Sequence, residues 1–486
     1  MRQRRWAPPA SGAGATRRRE PGSSWRSRQP SRAREWSPVS DVFLRVEFRI
    51  RPRAGLSLPR LLSLVVAVLL ALASVTFALS GCRALFGPAG PFGRGGPEPP
   101  DPEQARLVAA SSNALAFDLL EKLSVAAAGK NVVLSPLSIS ALLAMLLEGA
   151  DGETAAAIAG VLHLPWGQDP AAGESAGGFG TLLNYISHPD ATGPDVELAI
   201  GNAIWPTVGY PLTDEFVETM TDDFRAEVAE LDLGSQQAAD EIDHWVVEKT
   251  RGRIQRMSDA LGLPDPGAVT VLMNAVYFKG NWTHRFDKEA TQPGTFTFPD
   301  GTEVTVPMMC RRGEFEVAEG ALADGLGFLM LRLPYGEDQR FVMEILLPGL
   351  PDIGRFVAGL TPEERLEAAA ALAEQEVFLV MPSFELEYEA TRELDAALQG
   401  LGMAIAYSPE SDFTPMSPRD PWLSRIAHKT YIRVDEEGSE AAGVTGGVMR
   451  ESMPAELRVD RPFVFTVTDT DTGVILFMGV VTDPTA

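Results

Sequence analysis

Residues 434–455 read VDEEGSEAAGVTGGVMRESMPA. A strand-like lead-in is followed by two acids, Glu436 and Glu437, and then by a run of small residues: Gly438, Ser439, Ala441, Ala442, Gly443, Thr445, Gly446 and Gly447. Met449-Arg450-Glu451-Ser452-Met453-Pro454 follows as a bait-like tail. Taken alone, a Gly/Ser/Ala run reads as a flexible surface loop. It also has strand periodicity. Ser439, Ala441, Gly443, Thr445 and Gly447 form one face; Glu440, Ala442, Val444, Gly446 and Val448 form the other. The first face is small throughout, as a strand entering a packed sheet requires, because added volume there costs roughly 1–3 kcal/mol per site. The charge of this stretch, Glu440, lies on the other face. No Pro interrupts Gly438–Ser452, so every ladder donor survives. The pattern suits a segment that is first an exposed loop and later a strand.

Charge is unevenly distributed along the 486 residues. Residues 1–82 hold fifteen Arg, no Lys and four acids, leaving 27 basic and 62 acidic residues after Cys82, a net −35 for the body. Such a body argues against nucleic acid or an anionic membrane surface as partner. Residues 1–60 form an Arg-rich extension that reads as disordered. Residues 61–82 carry an apolar run, Leu61 to Leu79, behind Arg51, Arg53 and Arg60, and end in Leu-Ser-Gly-Cys82. Basic flank, apolar segment and small-residue site read as an export signal. The ending resembles a bacterial lipoprotein signal, in which Cys82 is lipidated; an uncleaved anchor and an ordinary cleaved signal are the alternatives. Sixty residues ahead of the apolar run is long against the roughly 15–30 of a whole signal, which suggests a true start nearer Leu56. Residues 83–103 are a Gly/Pro-rich tether. The expected location is extracellular or cell-envelope, with membrane contact only through the N-terminal anchor.

With Cys82 lipidated, Cys310 is alone and no disulfide framework exists. Cys310 sits in VPMMC and reads as a small hydrophobe. The five His residues lack ligand spacing, so neither a metal nor another cofactor is expected. Helical spacing predicts helices over Arg106–Leu123, Ser135–Glu148, Asp151–Leu162, Thr213–Phe224 with Thr213 as cap, Ala238–Lys249 and Glu393–Gly400. Gly167–Gly180 reads as a Gly/Ala-rich loop. Val196–Trp205 reads as a strand, and Val269–Phe278 as a buried central one. Short strands follow at Gly294–Phe298, Val304–Met309, Gly327–Leu333, Phe341–Leu347 and Val377–Pro382, and Pro462–Val481 closes the chain as a buried hairpin. Helices early and strands late give an α+β class.

From Gln104 to Thr485 the chain resembles the serpins. Asn131-Val-Val-Leu-Ser135-Pro136-Leu-Ser138-Ile-Ser140 is similar to the start of that family's second helix. Asn274-Ala-Val-Tyr-Phe-Lys279-Gly-Asn-Trp282 is similar to the third strand of its large sheet. Leu401-Gly402-Met403, Asp412-Phe413 and Met416-Ser417 resemble the segment before the fifth strand. His428-Lys429 through Gly443 resembles that strand and the hinge, and Arg461-Pro-Phe463 with Leu476-Phe-Met-Gly479 the closing strands. The resemblance implies three β-sheets, eight or nine helices and an exposed reactive-centre loop in a domain spanning 104–486. It implies a non-enzyme: a monomeric suicide inhibitor that forms a covalent acyl complex with a serine protease, trypsin-fold or subtilisin-like, and inserts its cut loop as a strand. A non-inhibitory serpin acting as an extracellular binding protein is the alternative.

The resemblance also assigns roles. Glu436, Glu437, Gly438, Ser439, Glu440, Ala441, Ala442, Gly443, Val444 and Thr445 correspond to the hinge. Ser135, Ser138, Asn274 and His428 correspond to the shutter where the large sheet opens, and Trp282 to the breach where the loop first enters. A Ser–His catalytic pair is rejected, because there is no G-x-S-x-G elbow and each Ser stands where helix capping accounts for it. In some serpins the acid matching Glu436 pairs with a Lys after a Leu-Pro; here Met381-Pro382-Ser383 stands there, so that ion pair cannot form. Two counts place the reactive bond. Counting back from Arg461-Pro462-Phe463 gives Glu451–Ser452, which is favoured; counting seventeen from Glu436 gives Ser452–Met453. Arg450–Glu451 would be a trypsin-like site.

Overall fold

Two walls of backbone, each ending in an unpaired strand edge, stand over one buried helix, and this arrangement positions the site. The computed structural model describes residues 102–164, 171–187, 194–438 and 455–485, all within one unit, Pro91–Ala486. The expectations for the Arg-rich extension, the signal with Cys82, hinge residues Ser439 to Thr445, and Glu451, Ser452 and Met453 of the bait lie outside them.

The first wall is a three-stranded sheet in the order β3 (Glu227–Val228), β2 (Val196–Pro206), β4 (Thr270–Gly280). The second is an antiparallel pair, β10 (Phe384–Ala390) with β11 (His428–Val434). The remaining strands join into a nine-stranded sheet. Its path runs β1 (Val132–Leu134), β14 (Ile475–Val481), β13 (Phe463–Asp469), β8 (Phe341–Pro348), β7 (Gly327–Tyr335), β6 (Glu303–Ala321), β9 (Ala373–Pro382), β12 (Ala455–Arg458), with β5 (Gln292–Thr297) also on β6. The closing hairpin β13–β14 is buried at every residue, as expected from its unbroken apolar run.

Ten α-helices and two short 3-10 segments occur among the described residues. The first, α1 (Pro102–Ala127), starts four residues before its periodicity suggests, with Pro at its first position. α2 (Pro136–Glu148) is buried from Pro136 to Leu147, which makes it a central helix, apolar all round. α5 (Asp214–Asp222) is capped as expected, Phe216 N donating to Thr213 Oγ1. α6 (Gln236–Lys249) lies on the three-stranded sheet, where Trp245 meets Trp205 edge-on at 5.3 Å in a core separate from the main one. α10 (Arg392–Gly400) leads toward β11.

Two expectations are corrected. The predicted loop at Gly167–Gly180 is largely helix, α4 (Ala171–Ile186). Its glycines serve close approach and not turning: a Cβ on Gly180 would stand 2.5 Å from the Asp223 carbonyl oxygen, and one on Gly178 would press on Gln104 and Val108 of α1 at 3.0 Å. β4 is not an interior strand. It pairs with β2 alone among the described strands, and its burial alternates. It reads as apolar throughout because Val271, Met273 and Ala275 pack in the core under α6 while Leu272, Val276 and Phe278 pack on the main core.

Candidate functional site

Among the described strands, β4 pairs with β2 alone and β11 with β10 alone, and their other edges face each other across a slot. Its upper part is a cleft of about 180 Å³ with Tyr277, Phe278 and Lys279 on one side and Tyr431, Arg433 and Asp435 on the other. Its lower part widens to about 460 Å³ between Thr270–Asn274 and the segment leading to His428, over Leu142 and Leu146 of α2. Unpaired strand edges are templates for another strand.

The N-terminal turn of α2 spans the slot from below. Ser138 Oγ donates to Asn274 Oδ1 on β4. Asn274 Nδ2 donates to Asn202 Oδ1 at 2.7 Å, and Asn202 Nδ2 to the Phe224 carbonyl at 2.7 Å. On the β11 side, the backbone N of Ser135 donates to His428 Nε2 at 3.0 Å. Burial lowers the His428 pKa to about 4, so the ring is neutral at pH 7 and Nε2 accepts. The structure thus brings all four expected shutter residues to one place, in two half-networks joined through α2. Capping does not explain the serines. Ser135 makes no side-chain cap bond and its Oγ is buried without a partner, while Ser138 is inside the helix and serves Asn274. Asn202 and the Phe224 carbonyl were not anticipated; the Asn within the apolar run Leu198–Trp205 of β2 was the available signal.

The top of the slot is closed by a second cluster. Trp282 stacks on Tyr335 with ring centroids 4.3 Å apart and planes 14° from parallel. Its Nε1 donates to the Asp435 carbonyl at 2.8 Å, and its backbone N donates to the Glu437 carbonyl at 3.1 Å. Phe286 N donates to the Glu436 carbonyl at 2.9 Å, and Thr291 Oγ1 donates to Glu436 Oε1 at 2.6 Å. Glu437 pairs with Lys288, and that hydrogen bond raises the Lys288 pKa. Gly438 has φ +86, and a Cβ on it would lie 2.5 Å from the Gly280 carbonyl oxygen. Glu436 and Glu437, expected at the start of the hinge, are thus held by Thr291 and Lys288.

The comparisons match this architecture. The family model described as Serpin (serine protease inhibitor) covers residues 110–484. This chain is a serpin. An uncharacterized serpin-like protein of Thermococcus kodakarensis is 35% identical over 78% of this chain and 87% of its own. Neuroserpin of Rattus norvegicus is 32% identical over 73% of this chain and 86% of its own. Among solved structures, native protease nexin-1 with heparin aligns at a TM-score of 0.67 and 25% identity over 79% of this chain and all of that one. Human thyroxine-binding globulin with its hormone aligns at 0.69 and 26%, with the same coverage. Serpins are a family of protease inhibitors and not of enzymes, and the set of neighbours includes a hormone carrier.

Other site expectations can be placed on this serpin. Cys310 is a half-buried free thiol on β6, opposite Val380, and burial raises its pKa, which suits a packing role. Among the described residues, no group of three or more His, Cys, Asp or Glu could hold a metal ion. Among them, no helix is long and apolar enough to cross a membrane.

Proposed function

We propose that this serpin is a suicide inhibitor of a serine protease, trypsin-fold or subtilisin-like, acting as a monomer outside the cytoplasm. The protease serine Oγ attacks the carbonyl of the bait residue. The peptide bond to the next residue breaks, an acyl ester forms, and the proton from Oγ passes through the protease's base to the departing amine. The cut loop then enters the slot as a strand, and the distorted protease does not deacylate. Ladder hydrogen bonds and burial drive the step, withheld before cleavage by kinetics.

One observation carries this reading: two strand edges unpaired among the described strands, those of β4 and β11, face each other over a partly empty slot, and the chain leaving Gly438 at its top supplies a Pro-free strand with a small inward face. Glu451–Ser452 is the favoured reactive bond and Ser452–Met453 the other. Export rests on the Leu61–Leu79 run and the Leu-Ser-Gly-Cys82 ending, with lipid at Cys82 as the anchor. A non-inhibitory role as an extracellular binding protein is the second reading, favoured by the likeness to thyroxine-binding globulin.

The test incubates the chain with trypsin-like, elastase-like, Glu-specific and subtilisin-like proteases. The expected result is an SDS-stable adduct, with Ser452 as the first residue of the released peptide. Cleavage by every protease without adduct, and without a rise in Tm after cutting, overturns the inhibitory reading.

A further inference from the structure

The two walls of the slot independently fix where each hinge residue would land, and the inference here rests on the insertion reading above. From the β11 side, Gly438 is bridged antiparallel to Asp435. Stepping that register down places position 440 opposite Arg433, 442 opposite Tyr431 and 445 opposite His428. From the β4 side, Gly438 lies against Gly280 and Asn281, and Glu437 accepts from Trp282 N. Both strands run toward this end, so a strand descending from Gly438 is antiparallel to β4 as well. That register places position 440 opposite Lys279, 442 opposite Tyr277 and 445 opposite Asn274. The two derivations agree residue by residue and in side-chain face.

Position 440 is a glutamate. It is the charged residue of the stretch Gly438–Met449. The groove it would meet is lined by Arg253, Lys279, Lys288 and Arg433 against two acids, Asp435 and Glu437. That is a local excess of positive charge in a body of net −35. Arg433 bonds Asp435 Oδ2 through Nε at 3.0 Å, which leaves the far end of its guanidinium fork outside that bond. Lys279 stands across the β2–β4 ladder from Glu197, which also takes Arg251 at 2.8 Å. Arg253 lies over the Tyr431 ring at 5.2 Å and narrows the groove between the two walls.

We propose that the Lys279–Arg433 pair is a carboxylate receptor whose occupant is Glu440 of this chain, and that seating Glu440 commits the loop to insertion. Seated there, the acid would do more than stay in water on the outward face: it would make charge-assisted contacts with Lys279 and Arg433. The remainder of the strand is neutral to Met449, so this pairing is the electrostatic component of the early step. Later residues zip in on burial and ladder bonds alone.

The test uses the full chain and whichever protease gives an adduct, with the rate of insertion followed by Trp282 fluorescence after acylation. Wild type should insert about fivefold faster than Glu440→Gln at low salt, as an exposed pair worth about 1 kcal/mol would give. The wild-type rate should fall on going from about 0.05 to 0.5 M salt, and the Glu440→Gln rate should not. Lys279→Glu with Arg433→Glu should slow wild type and restore Glu440→Lys, which guards against a mere folding defect. Loss of rescue, or equal rates and equal salt dependence for wild type and Glu440→Gln, overturns the receptor while leaving the insertion reading intact. A wild type with neither adduct nor thermal gain on cutting overturns both.

Discussion

The indole Nε1 of Trp282 donates to the carbonyl of Asp435 at 2.8 Å, tying the end of β4 to the end of β11 above an unladdered slot. Tyr335 stacks beneath the indole and is itself fully buried, its phenol pKa raised by that burial. Trp282→Phe keeps most of the stacking and removes the donor. It leaves the Asp435 oxygen with the Gly438 N–H at 3.3 Å as its remaining donor, at a cost of about 1 kcal/mol. Urea unfolding of the uncut chain should read that loss.

Gly438 bridges back to Asp435 just past the end of β11. With φ +86 and no space for a Cβ against the Gly280–Trp282 backbone, Gly438→Ala suffers both strain and overlap. The expected loss is about 2–4 kcal/mol in the uncut form. An unchanged urea midpoint would contradict the local geometry.

Lys288 with Glu437 and Thr291 with Glu436 hold the hinge base in different ways. Lys288 is mostly exposed, so its pair should add little to equilibrium stability. Thr291 is partly buried and gives a neutral donor. Lys288→Ala should leave the urea midpoint unmoved. It should also speed spontaneous conversion of the uncut chain to a loop-inserted, inactive form, measured as loss of inhibitory activity on prolonged incubation. Thr291→Val should lower the midpoint by about 1 kcal/mol.

A half-buried carboxyl and a buried imidazole oppose each other in pH. Burial first, and Asp223 second, raise the pKa of Glu148 at the end of α2 to about 7 from 4.5. The folded state then holds a proton the unfolded state lacks. This contribution is full below pH 4.5 and gone above 7, a loss on the order of 3 kcal/mol. His428 is lowered from 6.5 to about 4, so its contribution is full above 6.5 and lost as pH falls to 4. Between about 4.5 and 6.5 the slopes cancel. Glu148→Gln should raise stability at pH 8 and unmask a loss toward acid. His428→Gln should leave the opposite slope. Chemical denaturation across pH 4–8 reads both.

Part of this was legible from motifs: Ser138, Asn274 and His428, which the resemblance groups together, do converge on α2. Illegible features depend on what approaches from elsewhere in the chain. Gly178 and Gly180 look like loop residues until α1 and Asp223 are seen against them. Ser135 before Pro136 has the form of a cap, yet its backbone N serves His428, and only the fold places His428 there. Tyr335, from β7, has no periodicity that marks it as the floor under Trp282. Thr291 and Lys288 reach Glu436 and Glu437 from a distant position in the chain, which no motif could disclose.

The inward face of the hinge gives the sharpest mutational test. The proposed insertion register would place Thr445 between Asn274 and His428, over the Ser138 and Ser135 contacts of α2. Ser439 would fall at the top, between Gly280 and Val434, and Val434 is 1% exposed. A guanidinium at either position would need burial without a carboxylate. A buried unpaired charge costs several kcal/mol, enough to slow insertion by two or more orders of magnitude. The uncut chain should fold normally with Ser439→Arg or Thr445→Arg, and its urea midpoint should not move. Acylation should proceed, but deacylation would now outrun insertion, so both variants become substrates: cleaved loop, released active protease, no adduct. Glu440→Arg on the outward face should retain adduct formation, though with slowed insertion. Undiminished adduct from Thr445→Arg would show that the loop does not enter in this register.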